Sequence, residues 1–187
     1  AAKECGYTIP TLCAFDHGEC SRGSCRVCLV EVKGARGLVA SCVYPVNEGM
    51  EIIISSPKAV SARRTSVELL LSNHSKNCQQ CTKNEYCELL NVAKITGARD
   101  NMYEGSKTPV TIDELTPSII RDTSKCVLCG RCVERCKNAQ GIGILGFENR
   151  GFKTIVAPAF NRSFSKSPCL LCGQCVTVCP TGALMEK

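Results

Sequence analysis

The sequence predicts an α+β protein built from several small modules rather than from one large domain. Aromatic residues form only 5% of the 187 residues and tryptophan is absent, so the chain has little material for a large apolar core. Its seventeen cysteines fall into groups with short, repeated gaps. Short alternating strands and amphipathic helices follow one another along the chain. These observations together indicate modules that are organised around the cysteine groups.

The clearest motif is a run of four cysteines that occurs twice, with an offset of 43 residues. The copies start at Cys126 and Cys169, and each has the spacing C-x2-C-x2-C-x3-C. This spacing is typical of two-cluster ferredoxins, in which the fourth cysteine of each run binds the cluster of the other run. It predicts one 4Fe–4S cluster held by Cys126, Cys129, Cys132 and Cys179. It predicts a second 4Fe–4S cluster held by Cys136, Cys169, Cys172 and Cys175. Zinc also binds C-x2-C pairs, but the doubled triple run is much rarer at zinc sites.

A third group of ligand-type residues in the middle of the chain consists of His74, Cys78, Cys81 and Cys87. Three cysteines cannot complete a four-iron site, and His74 lies one helical turn before Cys78. We therefore expect His74 to be the fourth ligand of another 4Fe–4S cluster. Two alternatives remain open, namely a histidine favoured at a helix end by the helix dipole and a zinc site of three cysteines and one histidine.

The first cysteine group predicts a 2Fe–2S cluster but leaves one ligand undecided. Cys25 and Cys28 form a secure pair, Cys42 follows, and the upstream partner is either Cys13 or Cys20. Cys20 gives the opening of a plant-type ferredoxin, but no cysteine lies between Cys42 and Cys78 to serve as that type's distant fourth ligand. Cys5 and the unused member of the pair are expected to be free thiols.

Charge and hydropathy exclude several classes of function. The formal charge of +6 counts every thiol as neutral, whereas thiolates bound to iron make the clusters anionic, so the loaded protein is expected to be nearly neutral. Basic residues are not interleaved with aromatics, and nucleic-acid binding is not expected. No apolar run is long enough to span a membrane, and no signal peptide opens the chain. Abundant free thiols suit a reducing compartment, so a cytoplasmic protein is expected.

Local patterns divide the chain into segments 1–56, 57–108 and 109–187. The alternation in 28–32 and the apolar run in 49–54 predict strands, and residues 1–5 predict a short helix. Ser56 and Pro57 have the residue types preferred at a helix start. A second helix is predicted over 85–96, with Gly97 as its C-cap. Residues 98–120 are expected to be a polar linker, and Arg63 and Arg64 to lie on a solvated helix face. Both ends of the chain look cut.

The combined motifs resemble one architecture, the N-terminal electron-transfer region of multisubunit FeFe (iron-only) hydrogenases. The large iron–sulfur subunit of respiratory complex I and some NAD-linked formate dehydrogenases share it. The matching stretches are 9–13, 25–32, 74–87, 126–132 and 169–184. The stretch 149–160 is most similar to the hydrogenase branch.

The resemblance implies ligands and folds that the spacing alone leaves open. It implies that Cys13, with Cys25, Cys28 and Cys42, holds the 2Fe–2S cluster, and that His74 is a cluster ligand. It also implies a truncated β-grasp 2Fe–2S ferredoxin domain without its opening hairpin over 1–56. It further implies a small helical 4Fe–4S domain over 57–108. The last domain implied is a two-cluster, bacterial-type ferredoxin domain over 109–187.

The expected function is an electron relay of one 2Fe–2S and three 4Fe–4S clusters in a cytoplasmic NAD(P)- or ferredoxin-linked FeFe hydrogenase. Expected partners are flavin- and NAD(P)-binding iron–sulfur subunits or ferredoxin, in a hetero-oligomer whose catalytic hydrogenase domain is missing from this chain. No catalytic residue set is readable in the sequence. The alternatives are the same relay in a complex I-type NADH dehydrogenase or a formate dehydrogenase, an iron–sulfur redox sensor, and a zinc-rich scaffold.

Overall fold

A computed structural model describes residues 1–15 and 22–187 of the chain. Within these residues small antiparallel sheets alternate with short helices, which confirms the predicted α+β class. The helices are α1 (Pro57–Asn73), α2 (Glu88–Thr96), α3 (Arg131–Gln140) and α4 (Gln174–Thr177). The strands are β1 (Leu29–Val32), β2 (Val39–Ala40), β3 (Ile52–Ile53), β4 (Ile112–Asp113), β5 (Ile119–Asp122), β6 (Leu145–Glu148), β7 (Ile155–Pro158) and β8 (Leu184–Glu186). Cys20 lies outside the described residues.

The first sheet has β1 at its centre, between β2 and β3. The predicted alternation is confirmed, because Val30 and Val32 are buried whereas Leu29 and Glu31 are only half-buried. This period of two places one face of the strand on a core. The strand predicted over 49–54 is shorter than expected, since only β3 pairs with β1. The short helix predicted at the start of the chain consists of turns.

Helix α1 begins where the sequence predicts. Ser56 is its N-cap, and the Ser56 hydroxyl accepts a hydrogen bond of 3.2 Å from the N–H of Ala59. Pro57 occupies the first turn, where its missing N–H leaves no bond unmade. The helix ends at Asn73, and the next residue, His74, is the C-cap in an extended conformation. The end of α1 therefore places His74 at the start of the loop that carries the middle cysteines.

Arg63 is buried on α1, which corrects the prediction of a solvated face. Its Nε donates to the Leu29 carbonyl at 2.6 Å and its Nη2 donates to the Ile54 carbonyl at 2.7 Å. Burial lowers the pKa of Arg63. Arg64 is exposed as predicted, with one 3.2 Å bond from its Nε to the Thr96 carbonyl. The sequence could not reveal that α1 covers the ends of β1 and β3, where these carbonyls lie.

Replacing Arg63 with alanine should destabilise the protein. Both carbonyls would lose a charged donor inside the structure, so the free energy of unfolding should fall by about 2–4 kcal/mol. Urea unfolding of the cluster-loaded protein measures this change. The matched control is Arg64→Ala on the same helix, which removes one more exposed bond and should cost less than about 1 kcal/mol. Equal losses for the two variants would contradict the structural role assigned to Arg63.

Helix α2 starts three residues later than predicted. Residues Asn84–Tyr86 form a separate short 3-10 turn, and Cys87 is extended between this turn and the helix, with φ −74° and ψ 109°. The predicted C-cap is confirmed, since Gly97 has a left-handed φ of 64° and its N–H donates to the Ala93 carbonyl. The break keeps Cys87 off the helix, where it can face the other middle cysteines.

The segment between α2 and β5 is anchored at several points, which corrects the prediction of a polar linker. The side-chain amide of Asn73 exchanges two 2.8 Å hydrogen bonds with Thr108. Strand β4 pairs with β5, and the Asp113 carboxylate accepts from the Ser163 hydroxyl at 2.7 Å and the Phe164 N–H at 2.8 Å. Burial opposes ionisation of Asp113, but these hydrogen bonds hold its pKa below the usual value.

The cysteine repeat folds as two loop-and-helix units with the same backbone. Gly130 and Gly173 are the N-caps of α3 and α4, with φ of 81° and 71°. Leu128 and Leu171, two residues earlier, have φ of 53° and 52°. This left-handed region is open to glycine but strained for leucine, so the surroundings must hold both loops in this shape. Helices α3 and α4 pack against each other, and β5 pairs with β8 beside them.

Two apolar cores hold these elements together. One lies within the last segment and includes Ile119, Phe164 and Leu184. The other takes residues from all three predicted segments, namely Leu12, Val67, Leu89 and Val127. The segments thus share a core, and the domain boundaries at 56/57 and 108/109 stay a prediction.

Candidate metal centres

The structure gathers the cysteines and His74 into four groups, and the two groups of the repeat each combine cysteines from both runs. The sixteen cysteines in 1–15 and 22–187 form no disulfide. Cys5 is exposed and stands apart from the sequence groups. In the same described ranges, no three His, Cys, Asp or Glu side chains are placed to hold a single metal ion.

The first group of the repeat joins its two runs. The walls of one cavity include Cys126, Cys129, Cys132 and Cys179. Burial, with a contribution from Cys179, raises the pKa of Cys129 to about 12 and of Cys126 to about 11. The backbone N–H of Leu128 lies 3.5 Å from the Cys126 sulfur, because the left-handed loop turns it inward. The structure therefore brings together the four cysteines that the spacing predicts as one crossed set. Cluster binding by this set stays a prediction.

The second group of the repeat is the reciprocal set. Burial, followed by the neighbouring thiols of Cys169, Cys136 and Cys172, raises the pKa of Cys175 to about 12. Burial, followed by Cys136 and Cys172, also raises the pKa of Cys169. Cys172 is exposed and Cys175 is buried, so this group lies at the protein surface. Cys136 thus sits with the second run, although its own run is the first.

The middle group lines a cavity of its own. Its four side chains are those predicted together, His74, Cys78, Cys81 and Cys87. The Nδ1 atom of His74 is buried and has no hydrogen-bond partner among the described residues. Burial and then the charge of Lys125 lower the pKa of His74, which keeps its imidazole neutral and its lone pair available.

The first group of the chain comprises Cys13, Cys25, Cys28 and Cys42. Three of these are buried and Cys42 is half-buried. A hydrogen bond between the Cys25 and Cys13 thiols lowers the pKa of Cys13 and raises that of Cys25. Burial, followed by Cys28 and Cys13, raises the pKa of Cys42 to about 12. Cys13 therefore lies together with Cys25, Cys28 and Cys42 in the structure. The alternative ligand Cys20 lies outside the described residues.

These donor sets fit iron–sulfur clusters. Burial raises the pKa of several of these thiols, including Cys126, Cys129 and Cys175, and so opposes their ionisation, whereas a nearby positive charge favours it. A cationic metal core supplies that charge and releases the protons on binding. The His74 Nδ1 atom offers a lone pair to iron. The inward backbone N–H of Leu128 offers a hydrogen bond to a cluster-bound sulfur.

Three family models match successive parts of the chain. A 2Fe–2S iron–sulfur cluster binding domain matches residues 1–57, and the NADH-ubiquinone oxidoreductase-G iron–sulfur binding region matches residues 63–101. A 4Fe–4S dicluster domain matches residues 125–183. The order agrees with that of the cysteine groups.

Known proteins are similar to this chain over its whole length. NADP-reducing hydrogenase subunit HndD of Solidesulfovibrio fructosivorans is 45% identical over 100% of this chain and 32% of its own length. The NADH-ubiquinone oxidoreductase 75 kDa subunit of Reclinomonas americana is 30% identical over 100% of this chain and 26% of its own length. The crystal structure of an NAD+-reducing NiFe-hydrogenase in the H2-reduced state superimposes with a TM-score of 0.90 and 29% identity, covering 100% of this chain and 79% of that one.

The chain is an iron–sulfur electron-transfer module related to these proteins. The module spans about a third or less of the two curated relatives. Its described residues include no helix that is long and apolar enough to cross a membrane. The predicted modular fold, with a 2Fe–2S part followed by a 4Fe–4S dicluster part, is confirmed by the family models and by the structural match.

Sequence reasoning missed two residues beside the His74 group of the module. Lys125 and Gly182 both line its cavity, although they belong to the cysteine repeat. A Cβ atom on Gly182 would lie 2.7 Å from the Cys81 sulfur, so only glycine fits there without movement. Gly182 lies three residues after Cys179. A glycine so close to a predicted ligand was the signal in the sequence that the backbone approaches another cysteine group there.

Proposed function

We propose that the module holds one 2Fe–2S cluster and three 4Fe–4S clusters and passes single electrons along them. Cys13, Cys25, Cys28 and Cys42 would hold the 2Fe–2S cluster. His74, Cys78, Cys81 and Cys87 would hold one 4Fe–4S cluster. The crossed sets of the repeat would hold the other two. The observation that carries the proposal is that all four sets lie together in one structure. Three of them are the sets that the spacing groups, and the set with Cys13 is the one that the family resemblance implies. The clusters would supply the redox chemistry, and the chain would position and tune them.

The contacts between groups support a relay. The Gly182 backbone packs against the Cys81 sulfur and links the middle group to Cys179 of the repeat. The Cys175 thiol contributes to the raised pKa of Cys132, so the two groups of the repeat are electrostatic neighbours. Cys13 and Cys129 belong to the same buried core, which joins the first group to the repeat. Each group therefore has another group close by to exchange electrons with.

The middle cluster should differ from the others in potential. A neutral imidazole replaces one thiolate, which leaves the cluster less negative. Lys125 brings a positive charge to the same cavity and forms a 3.2 Å ion pair with Asp122. The imidazole favours the reduced state of this cluster, compared with a similar cluster that has four thiolates. The Lys125 charge acts in the same direction, and the Asp122 carboxylate opposes it in part.

The parent complex is best assigned to a cytoplasmic NAD(P)- or ferredoxin-linked FeFe hydrogenase. The 45% identity to a subunit named as NADP-reducing hydrogenase supports this assignment. The partners would be flavin- and NAD(P)-binding iron–sulfur subunits or ferredoxin, together with a catalytic hydrogenase domain. The second candidate is a complex I-type NADH dehydrogenase, which the match of residues 63–101 to the oxidoreductase-G region favours.

Stepwise anaerobic reduction monitored by EPR tests the relay. The loaded module should accept about four electrons per chain and show one 2Fe–2S and three 4Fe–4S signals. His74→Cys should change one of the 4Fe–4S signals and shift its potential to a lower value. The matched control is Cys5→Ser, because Cys5 is an exposed thiol outside the four groups. A loaded module that takes up no electrons would refute the proposal.

A further inference from the structure

Arg131 is a buried cation that the proposed ligand sets do not explain. It is the first residue of α3, directly before Cys132, and only 4% of its surface is exposed. Its guanidinium makes a two-pronged ion pair with Glu88, with Nη1 to Oε1 and Nη2 to Oε2 both at 2.7 Å. A buried charge is costly unless a partner compensates it with good geometry, so this pair resists separation of α3 from α2.

The same guanidinium also contacts the first part of the chain. Its Nη2 lies 3.4 Å from the Ala14 carbonyl, and its central carbon lies 5.2 Å from the centre of the Phe15 ring. The guanidinium of Arg135, one turn further along α3, lies 5.3 Å from the centre of the same ring. Cations over an aromatic face are attracted to it, so the Phe15 segment is drawn to α3.

Ala14 and Glu88, which accept these bonds from Arg131, each adjoin a cysteine of a different group. Ala14 follows Cys13 of the first group, Glu88 follows Cys87 of the middle group, and Arg131 itself precedes Cys132 of the repeat. One side chain thus joins the backbones that carry three of the four sets. Its charge also lowers the pKa of Cys129, although burial dominates there, so the cation lies within electrostatic reach of the repeat.

We propose that Arg131 is a positioning residue that clamps three cluster-bearing segments together and so sets the separations across which electrons pass. This inference rests on the proposed relay. The planar guanidinium can bond the Glu88 carboxylate at two points and stack on Phe15 at the same time, and it stays charged at any ordinary pH. A lysine would keep the charge but lose the two-point geometry. The fixed cation also reduces the repulsion between three anionic clusters.

The test uses Arg131→Lys, Arg131→Gln and Glu88→Gln in the loaded protein. Iron and sulfide content, and the EPR signal of each cluster, report whether the relay itself is intact. Spin–spin coupling between reduced clusters, and the rate at which electrons equilibrate after rapid reduction, report the clamp. The matched control is Lys33→Gln, which breaks an exposed 2.9 Å ion pair with Glu51 on the first sheet.

We expect all three variants to keep their clusters, to lose spin–spin coupling and to equilibrate electrons severalfold more slowly, while Lys33→Gln changes neither quantity. The double variant of Arg131→Gln and Glu88→Gln should lose no more than Arg131→Gln alone, because the Glu88 carboxylate is proposed to act through its pair with Arg131. If Arg131→Gln loses iron, the coupling and the electron-transfer rate in Glu88→Gln test the clamp instead, because this variant leaves the arginine in place. Unchanged coupling and rates in Arg131→Lys and Glu88→Gln would overturn the clamp, whereas failure of the unsubstituted module to bind iron would overturn the relay.

Discussion

Removal of iron and sulfide from the loaded module is expected to unfold most of the chain. The apolar cores are small, and cysteines form part of both of them. The proposed clusters of the repeat cross-link its two runs, since Cys179 lines one cavity with Cys126. Structural metal sites contribute on the order of 10 kcal/mol to folding, which exceeds the margin that such small cores supply. Circular dichroism and thermal unfolding before and after anaerobic chelation measure the change.

The control for this experiment is reconstitution. Iron and sulfide added back under reducing conditions should restore the spectrum and the cooperative transition, which excludes irreversible damage as the cause. Some helicity should survive in the iron-free chain, since α1 has 17 residues and its own N-cap. An iron-free chain that melts cooperatively at the temperature of the loaded protein would contradict the proposed dependence of the fold on its clusters.

Substitution of the fourth cysteine of either run should damage the cluster of the other run. Cys179→Ala is expected to abolish the same EPR signal as Cys129→Ala, although Cys179 belongs to the second run. Cys136→Ala is expected to abolish the same signal as Cys172→Ala. The physical reason is that Cys179 lines one cavity with the first run, and Cys136 acts electrostatically on Cys169 and Cys175.

Cys129→Ala and Cys172→Ala serve as reference variants, because each should remove one known EPR signal of the repeat. Each of the four substitutions removes one thiol, so the comparison depends on which EPR signal is lost and not on how much stability is lost. The spectra of the variants then sort into two pairs. If Cys179→Ala matches Cys172→Ala instead of Cys129→Ala, the sets are not crossed and the assignment of the repeat is wrong.

The sequence predicted best those features that local geometry determines. The grouping of His74 with Cys78 follows from their closeness in the chain, and the caps Ser56 and Gly97 follow from residue types that satisfy helix ends. The doubled cysteine spacing was enough to predict which thiols of the repeat meet, because that chain geometry is common to two-cluster ferredoxins. Short-range rules were not uniformly successful, since residues 1–5 form turns instead of a helix and α2 begins later than predicted.

The features that the sequence did not reveal depend on contacts between distant segments. Arg63 looked like a surface charge because the carbonyls that it bonds belong to another part of the fold. Asp113 looked like part of a linker because its donors lie 50 residues further on. Arg131 has partners in two other segments, and its two bonds to Glu88 span 43 residues. No pattern of periodicity or spacing encodes such pairs, since either partner alone resembles an ordinary polar residue.

The most direct test of the central claim is the content of iron and acid-labile sulfide in the anaerobically purified chain, measured together with zinc. One 2Fe–2S and three 4Fe–4S clusters require about 14 iron atoms and about 14 sulfides per chain, with little zinc. This result is expected, together with a brown colour, for a protein in which all four ligand sets hold clusters. A stable, colourless chain that contains zinc or no metal, and no sulfide, would contradict it.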